Sequence, residues 1–295
     1  MSANLSEKVD FFVALSRWAI DYGGQMLRAR ATAEPGGPSE LVRSINPLGN
    51  DLDPKELQEI ERMFAGELVG ITPYREAQLR ELAFWRWVAF EGYNNLAPQF
   101  FPLHQEHAMV STFYRTGWSR TEFLQSRVLE LGCGPLGMIE YISASERVAF
   151  DPLNAQYNRL FSRCRSHDIT YLSERADLAN LREGVDLAIC HNVIDHTEEP
   201  DWWFDELFRK LCLDGRFLFQ VNVSEPGLPQ SEEHRRMHPS PFLYEQIMEW
   251  LRAKSDNFDH FLEETPTPEG ERYFLAWGVK SRDEGVHYVN HFGPP

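Results

Sequence analysis

Along the N-terminal third of the chain, apolar residues recur at helical spacing. Leu5, Val9, Phe12, Leu15, Ala19, Tyr22 and Met26 share one helix face, and Glu34-Pro35-Gly36-Gly37-Pro38 ends that pattern with a loop. Two more helix starts are expected at Asp53-Pro54 and Thr72-Pro73, where a capping oxygen precedes a proline at the first helical position. The second of these helices runs into an aromatic segment, Phe84, Trp85, Trp87, Phe90 and Tyr93. Asn94, Asn95 and Pro98 break it, and a further helix is expected over 104–117. From Arg127 the pattern changes to short β-rich runs alternating with helical ones, as in a parallel sheet with helices on both faces. Strands are expected at Val128–Leu131, Arg147–Phe150, Ile169–Leu172, Val185–Cys190, Gly215–Val223, weakly over 258–264, and at Tyr273–Lys280. Helices are expected near 135–144, 154–166, 200–212 and 241–252. Only the turn-rich Thr265–Gly270 separates the last two strands, which suits an antiparallel hairpin.

The most informative stretch is Val128-Leu-Glu-Leu-Gly-Cys-Gly-Pro-Leu-Gly137, a hydrophobic strand followed by glycines in G-x-G-x-x-G spacing. Gly132 and Gly134 let the backbone turn tightly and approach a ligand, and Pro135 suits the first turn of a following helix whose free N–H groups would face the same crevice. A nucleoside-like ligand is expected there. Asp151, at the end of the next strand, is placed to take both hydroxyls of a ribose. Dinucleotide dehydrogenases share both features, so the discriminating residues are Glu130, two before the first glycine, and the segments downstream.

With these residues in view, the chain resembles the class I S-adenosylmethionine-dependent methyltransferases, especially the small-molecule group whose first motif reads hydrophobic-hydrophobic-Glu-hydrophobic-Gly-Cys-Gly. In that family the first-strand acid and the glycine loop hold the methionine end of the cofactor, and the acid after the second strand holds the ribose. The resemblance puts those roles on Glu130, Gly132, Gly134 and Asp151, with Cys133 and Pro152 beside them. It continues in Glu174-Arg-Ala-Asp177-Leu178, implying Ala176 and Asp177 at the adenine edge. It continues again in Asp186–His196, similar to the fourth strand and its turn, with His191 and Asn192 next to the cofactor. Leu207–Leu218 looks like the helix, tight turn and fifth strand, with Leu213-Asp214 in place of the usual Pro-Gly lead-in. The resemblance covers roughly 120 to 280 and implies an α/β, Rossmann-like, seven-stranded, mostly parallel sheet with a C-terminal antiparallel hairpin. Residues 1–118 are then a helical annex covering the acceptor site, and 119–295 the S-adenosylmethionine-binding domain.

Composition narrows the partners. With 42% hydrophobic and 25% charged residues, the chain reads as an ordinary globular protein. Lys and Arg number 29 against 45 Asp and Glu, a formal charge of -16, so nucleic acid and acidic lipid surfaces are disfavoured as partners. Residues 11–20 are apolar but carry Arg17 and are too short to cross a membrane, and no small-residue cleavage site follows them. Cys133, Cys164, Cys190 and Cys212 form no Cys-x-x-Cys pair, which fits a reducing, cytoplasmic setting. A homodimer is compatible with the pattern.

Methyl transfer from a sulfonium needs positioning, and needs a base only where the acceptor must lose a proton. His196 and His238 are the candidate catalytic bases, at the loops after the fourth and fifth strands, with Asp195 read as a structural acid. Arg235 and Arg236 are candidates to bind an anionic acceptor group, or are simply solvated. Phe150 and Leu153 either flank the adenine or belong to the core. The aromatic run from Phe84 to Phe101 either walls the acceptor pocket or docks the annex. No metal constellation is apparent: His234 and His238 are four apart but lack a clear third ligand. The leading expectation is O-methylation of a small metabolite, sugar or natural-product intermediate. N-methylation, an NAD-dependent oxidoreductase and a non-catalytic binder of the same cofactor are the competing readings.

Overall fold

A computed structural model describes residues 47–93, 96–225, 232–267, 270–289 and 291; the helix expected over 5–26 lies outside them. Both proline-marked helix starts form. In α1 (Pro54–Phe64) the Asp53 carboxylate accepts the N–H groups of Lys55 and Glu56, while Glu56 accepts the Asp53 N–H, a capping box. In α2 (Pro73–Phe90) Thr72 Oγ1 accepts the Arg75 N–H. The next helix, α3, spans Phe101–Thr116 and begins just after a short turn at Pro98–Phe100.

Seven strands follow: β1 (Arg127–Leu131), β2 (Glu146–Phe150), β3 (Thr170–Leu172), β4 (Val185–His191), β5 (Leu211–Ser224), β6 (Asn257–Leu262) and β7 (Glu271–Val279). They form one sheet in the order β3-β2-β1-β4-β5-β7-β6. The first five are parallel, and β7 runs antiparallel to both β5 and β6, as the turn-rich separator predicts. Successive residues face opposite sides. Leu129, Leu131, Ala188, Cys190, Phe217 and Phe219 join Phe204 and Trp250 of α6 (Pro200–Lys210) and α8 (Tyr244–Lys254) on one face. Val128, Leu187, Ile189 and Leu218 join Met109 and Phe113 of α3 on the other. Burial on both faces is why these strands read as near-continuous apolar runs. A third cluster packs Leu79, Leu82 and Phe101 of the annex against Leu153, Tyr157 and Phe161, around α4 (Asn154–Leu160).

Three expectations are corrected. Over 135–144 the chain forms only a single 3-10 turn, Met138–Tyr141. The cause lies eight and nine residues back: Glu130 reaches out of β1 and accepts the N–H groups of Met138 (3.0 Å) and Ile139 (2.8 Å), capping the turn from inside. The helix expected over 154–166 stops at Leu160. The segment after α6 enters β5 at Leu211, and Asp214 takes a left-handed φ of 63° where the register against β4 shifts. The short helices α5 (Arg175–Asn180) and α7 (Glu232–Met237) were not anticipated. Among the described residues no helix is long and apolar enough to cross a membrane.

Candidate functional site

In an open α/β sheet, ligands bind outside the carboxyl ends of the strands where the strand order reverses. Here that is the crevice beyond β1 and β4, and it holds a cavity of about 540 Å³, within the size range of small-molecule sites. The loops after β1, β2 and β4 supply its floor through Gly132, Cys133 and Gly134, then Asp151, Pro152 and Leu153, then His191, Asn192 and His196. From α2 come Tyr74, Gln78, Glu81, Phe84 and Trp85.

The two glycines do different work. Gly132 has φ 67°, and a Cβ there would lie 2.1 Å from Val193 Cγ2, so the loop could not close against the β4 turn with any other residue. Gly134 has φ 55° and nothing within 4 Å of its would-be Cβ, leaving open space. Asn192, just past β4, is a non-glycine residue at φ 56° whose N–H donates to Gln220 O (3.0 Å). Strained backbone of this kind clusters at functional sites.

Asp151 is 7% exposed and accepts the N–H groups of Leu153 (2.8 Å) and Gly134 (3.0 Å), one on each oxygen. Burial, and then the Glu81 carboxylate, push it up to about 7, against the pull of those two donors. Glu81 is itself held by Tyr157, whose hydroxyl donates to Oε1 at 2.7 Å, and by Trp85 Nε1 at 3.2 Å. Gln220 Oε1, in the cavity wall, is buried with no hydrogen-bond partner among the described residues. Burial raises Glu130 to about 8, against the pull of its two backbone donors, and lowers His191 to about 4.

At another part of the same cavity, Asp195 Oδ2 lies 2.8 Å from His238 Nδ1, and the rings of His196 and His238 pack with centroids 4.2 Å apart. Burial works to raise the Asp195 acid, but the two imidazoles beside it hold it below the usual carboxylate range. Burial likewise works against charge on His238, yet the hydrogen bond to Asp195 holds that ring above the ordinary histidine range. Burial, then the neighbouring His238, push His196 down. The β4 turn and the segment after α7 are bound together, since Ser240 N donates to Asp195 O (3.0 Å) and Ser240 Oγ to Thr197 O (2.5 Å).

The structure thus brings together Glu130, Gly132, Cys133, Gly134, Asp151, Pro152, His191, Asn192, His196 and His238. Ala176 and Asp177 are not among them: both are exposed on α5 and outside the cavity lining. The Glu130 carboxylate organises the turn after the glycine loop through two backbone bonds. Phe150 is core, packed on Trp203, whereas Leu153 lines the cavity. Arg236 pairs with Glu76 of α2 at 3.5 Å. The aromatic run does both jobs: Phe84, Trp85 and Tyr93 line the cavity while packing on the annex cluster, and Trp87 is half exposed. Sequence reasoning missed Tyr74, Gln78 and Glu81, and also Gln220, Asn222 and Tyr273. Their one available signal was the helical spacing of Tyr74, Gln78, Glu81 and Trp85.

Residues 129–219 match the model of the methyltransferase-domain family, a stretch that runs from β1 to β5. Comparison with curated proteins gives no match in sequence. Among solved structures the chain is similar to the [4+2]-cyclase SpnF, at 16% identity and a TM-score of 0.52 over 73% of this chain and 98% of that one. It is also similar to phosphoethanolamine N-methyltransferase 2 of Haemonchus contortus, in complex with phosphomonomethylethanolamine and S-adenosylhomocysteine, at 13% identity and a TM-score of 0.51 over 72% and 60%. These likenesses establish the fold, and the sequence match establishes the domain. Residues 129–219 are a methyltransferase domain by that match, and S-adenosylmethionine is the cofactor that such a domain implies.

The cavity fits that cofactor. Asp151 retains lone pairs for ribose hydroxyls, Gly134 leaves room for close approach, and Gln220 Oε1 offers an unfilled acceptor. The stretch matched to the methyltransferase domain includes this glycine loop.

Proposed function

We propose that this methyltransferase acts on an oxygen atom of a small-molecule acceptor, a metabolite, sugar or natural-product intermediate. The observation that supports the reading is the Asp195–His238–His196 cluster, whose two histidines line the same cavity as the glycine loop and Asp151. A cavity of this size suits a nucleoside-containing cofactor together with a small acceptor, and the net charge of -16 disfavours a polyphosphate chain as acceptor.

S-adenosylmethionine supplies an electrophilic methyl group on a sulfonium. The protein's contribution is positioning and acceptor activation. Gly132, Cys133 and Gly134 shape the loop that lies along the cofactor, Asp151 takes the ribose hydroxyls, and His191 and Asn192 flank it. Asp195 fixes the His238 ring through Nδ1 and stabilises its protonated form, so His238, with His196 packed against it, can draw the proton from the acceptor hydroxyl as the methyl group arrives. Glu81, Phe84 and Trp85 of the annex wall the cavity. The four cysteines are free thiols, in keeping with a reducing compartment.

Calorimetric titration with S-adenosylmethionine, S-adenosylhomocysteine and NAD in parallel tests the base of this reading. Binding of the first two alone is expected, and binding of NAD alone overturns it. Screening acceptors with mass analysis of the product then decides between oxygen and nitrogen.

A further inference from the structure

We propose that Asp195, His196 and His238 form a divalent-cation site at the acceptor end of the cavity, an inference that rests on the reading of that end as the acceptor site. One donor atom from each of the three side chains lies within 4.8 Å of the other two. Donors that share a first-row ion at bond lengths of about 2.1 Å stand roughly 3.0–3.4 Å apart. Asp195 Oδ2 and His238 Nδ1 are 2.8 Å apart, and the His196 ring lies against the His238 ring with centroids 4.2 Å apart, which places the third donor beside the pair.

A second observation is independent of that spacing. Asp195 is 1% exposed, and its other oxygen, Oδ1, is buried with no hydrogen-bond partner among the described residues. Buried acceptors are rarely left unfilled, and a cation held by the carboxylate compensates this one. The backbone that carries Asp195 and His196 is also held in place. Ser240 N donates to Asp195 O, Ser240 Oγ to Thr197 O, and Thr197 Oγ1 to Ile194 O at 2.9 Å. These bonds tie the β4 turn to the segment that carries His238.

Two imidazoles and one carboxylate suit Zn²⁺, Co²⁺, Mn²⁺ or Fe²⁺ better than Mg²⁺ or Ca²⁺, which favour all-oxygen sets. Three protein ligands leave positions open, and His196, Thr197 and His238 all line the cavity, so an acceptor hydroxyl can fill one. Such a hydroxyl ionises more readily. Its proton passes to water in the cavity, and the oxygen–methyl bond forms as the sulfur–methyl bond breaks. With the ion in place, the imidazoles act through it instead of taking the proton themselves.

The test is calorimetric titration of the metal-stripped full chain with Zn²⁺ and with Co²⁺, following the visible absorption of the Co²⁺ form. S-adenosylhomocysteine is titrated into every sample. One ion per chain is expected, with affinity at least about tenfold weaker in Asp195→Asn, His196→Ala and His238→Gln and the nucleoside titration unchanged. No stoichiometric ion in the wild type, or uptake equal in all three variants, overturns the proposal and leaves the methyltransferase reading intact. Failure of S-adenosylhomocysteine to bind the wild type sinks that reading instead. Where a variant loses nucleoside binding, and so its fold, X-ray absorption at the zinc edge of the wild type decides: two imidazoles around the ion uphold the site, and none overturns it.

Discussion

Asp151→Asn is the sharpest test of how this cavity holds its cofactor. In the wild type Leu153 N donates to Oδ1 and Gly134 N to Oδ2, which leaves further lone pairs on both oxygens for the ribose. Asparagine keeps one accepting oxygen and turns the other into a donor, which faces a backbone N–H and accepts nothing from a hydroxyl. Losing one charge-assisted hydrogen bond costs about 1.5–3 kcal/mol, or roughly a tenfold to hundredfold weaker Kd. The pH dependence supplies a second, independent readout. Burial and the Glu81 carboxylate push Asp151 up to about 7, and only the ionised form accepts from both hydroxyls. Affinity for S-adenosylhomocysteine is therefore full above that value and falls as pH drops through it, approaching about tenfold per pH unit. In Asp151→Asn that slope is absent. Calorimetry at a series of pH values between about 6 and about 8.5 reads both effects around the Asp151 midpoint. Wild-type affinity in the variant refutes the ribose assignment, and a flat pH dependence in the wild type refutes the raised ionisation of Asp151.

The remaining predictions address the other walls of the cavity. Glu81→Gln removes the charge that helps raise Asp151, so the acid limb of nucleoside binding shifts to lower pH; an unmoved midpoint in the same titrations contradicts the coupling. Gly134→Ala meets no protein atom and carries only a left-handed-backbone cost of about 1–2 kcal/mol, a drop of a few degrees in melting temperature, but it puts a methyl group into the cavity, so nucleoside affinity falls. Gly132→Ala instead drives a Cβ into Val193 and lowers the melting temperature markedly, and thermal scans that rank the two variants the other way defeat the argument. Asp195→Asn lowers turnover of an identified acceptor by about 10²–10⁴ with nucleoside affinity unchanged, and equal turnover shows that the cluster does not act on the acceptor.

Legibility from sequence followed the reach of the interactions. Where neighbours in sequence determine the outcome, the reading held: Asp53-Pro54 and Thr72-Pro73 start helices because cap and proline act within one turn. The strands were visible because both sheet faces are buried, and the closing hairpin because its separator is short and turn-rich. The helix expected after the glycine loop failed for a non-local reason, the Glu130 carboxylate returning eight and nine residues on to cap a single turn. Ala176 and Asp177 were carried over on family resemblance, and they stand exposed on α5, off the cavity.

The acceptor end shows why a site can be present in a sequence and still unreadable. In sequence His238 stands four residues from His234, yet its partner is Asp195, forty-three residues earlier, and the pair exists only because β4 and the segment after α7 meet beyond neighbouring strands. The same holds for the annex. Tyr74, Gln78, Glu81 and Trp85 form a stripe on α2 that is indistinguishable, from spacing alone, from a solvated helix face. Packing settles the matter: Tyr157, on the helix after β2, donates to Glu81, and Glu81 in turn shifts Asp151 at the end of β2. The annex therefore helps set the ionisation of the residue assigned to the cofactor ribose, which couples a region with no family resemblance to the part of the chain where the resemblance is strongest.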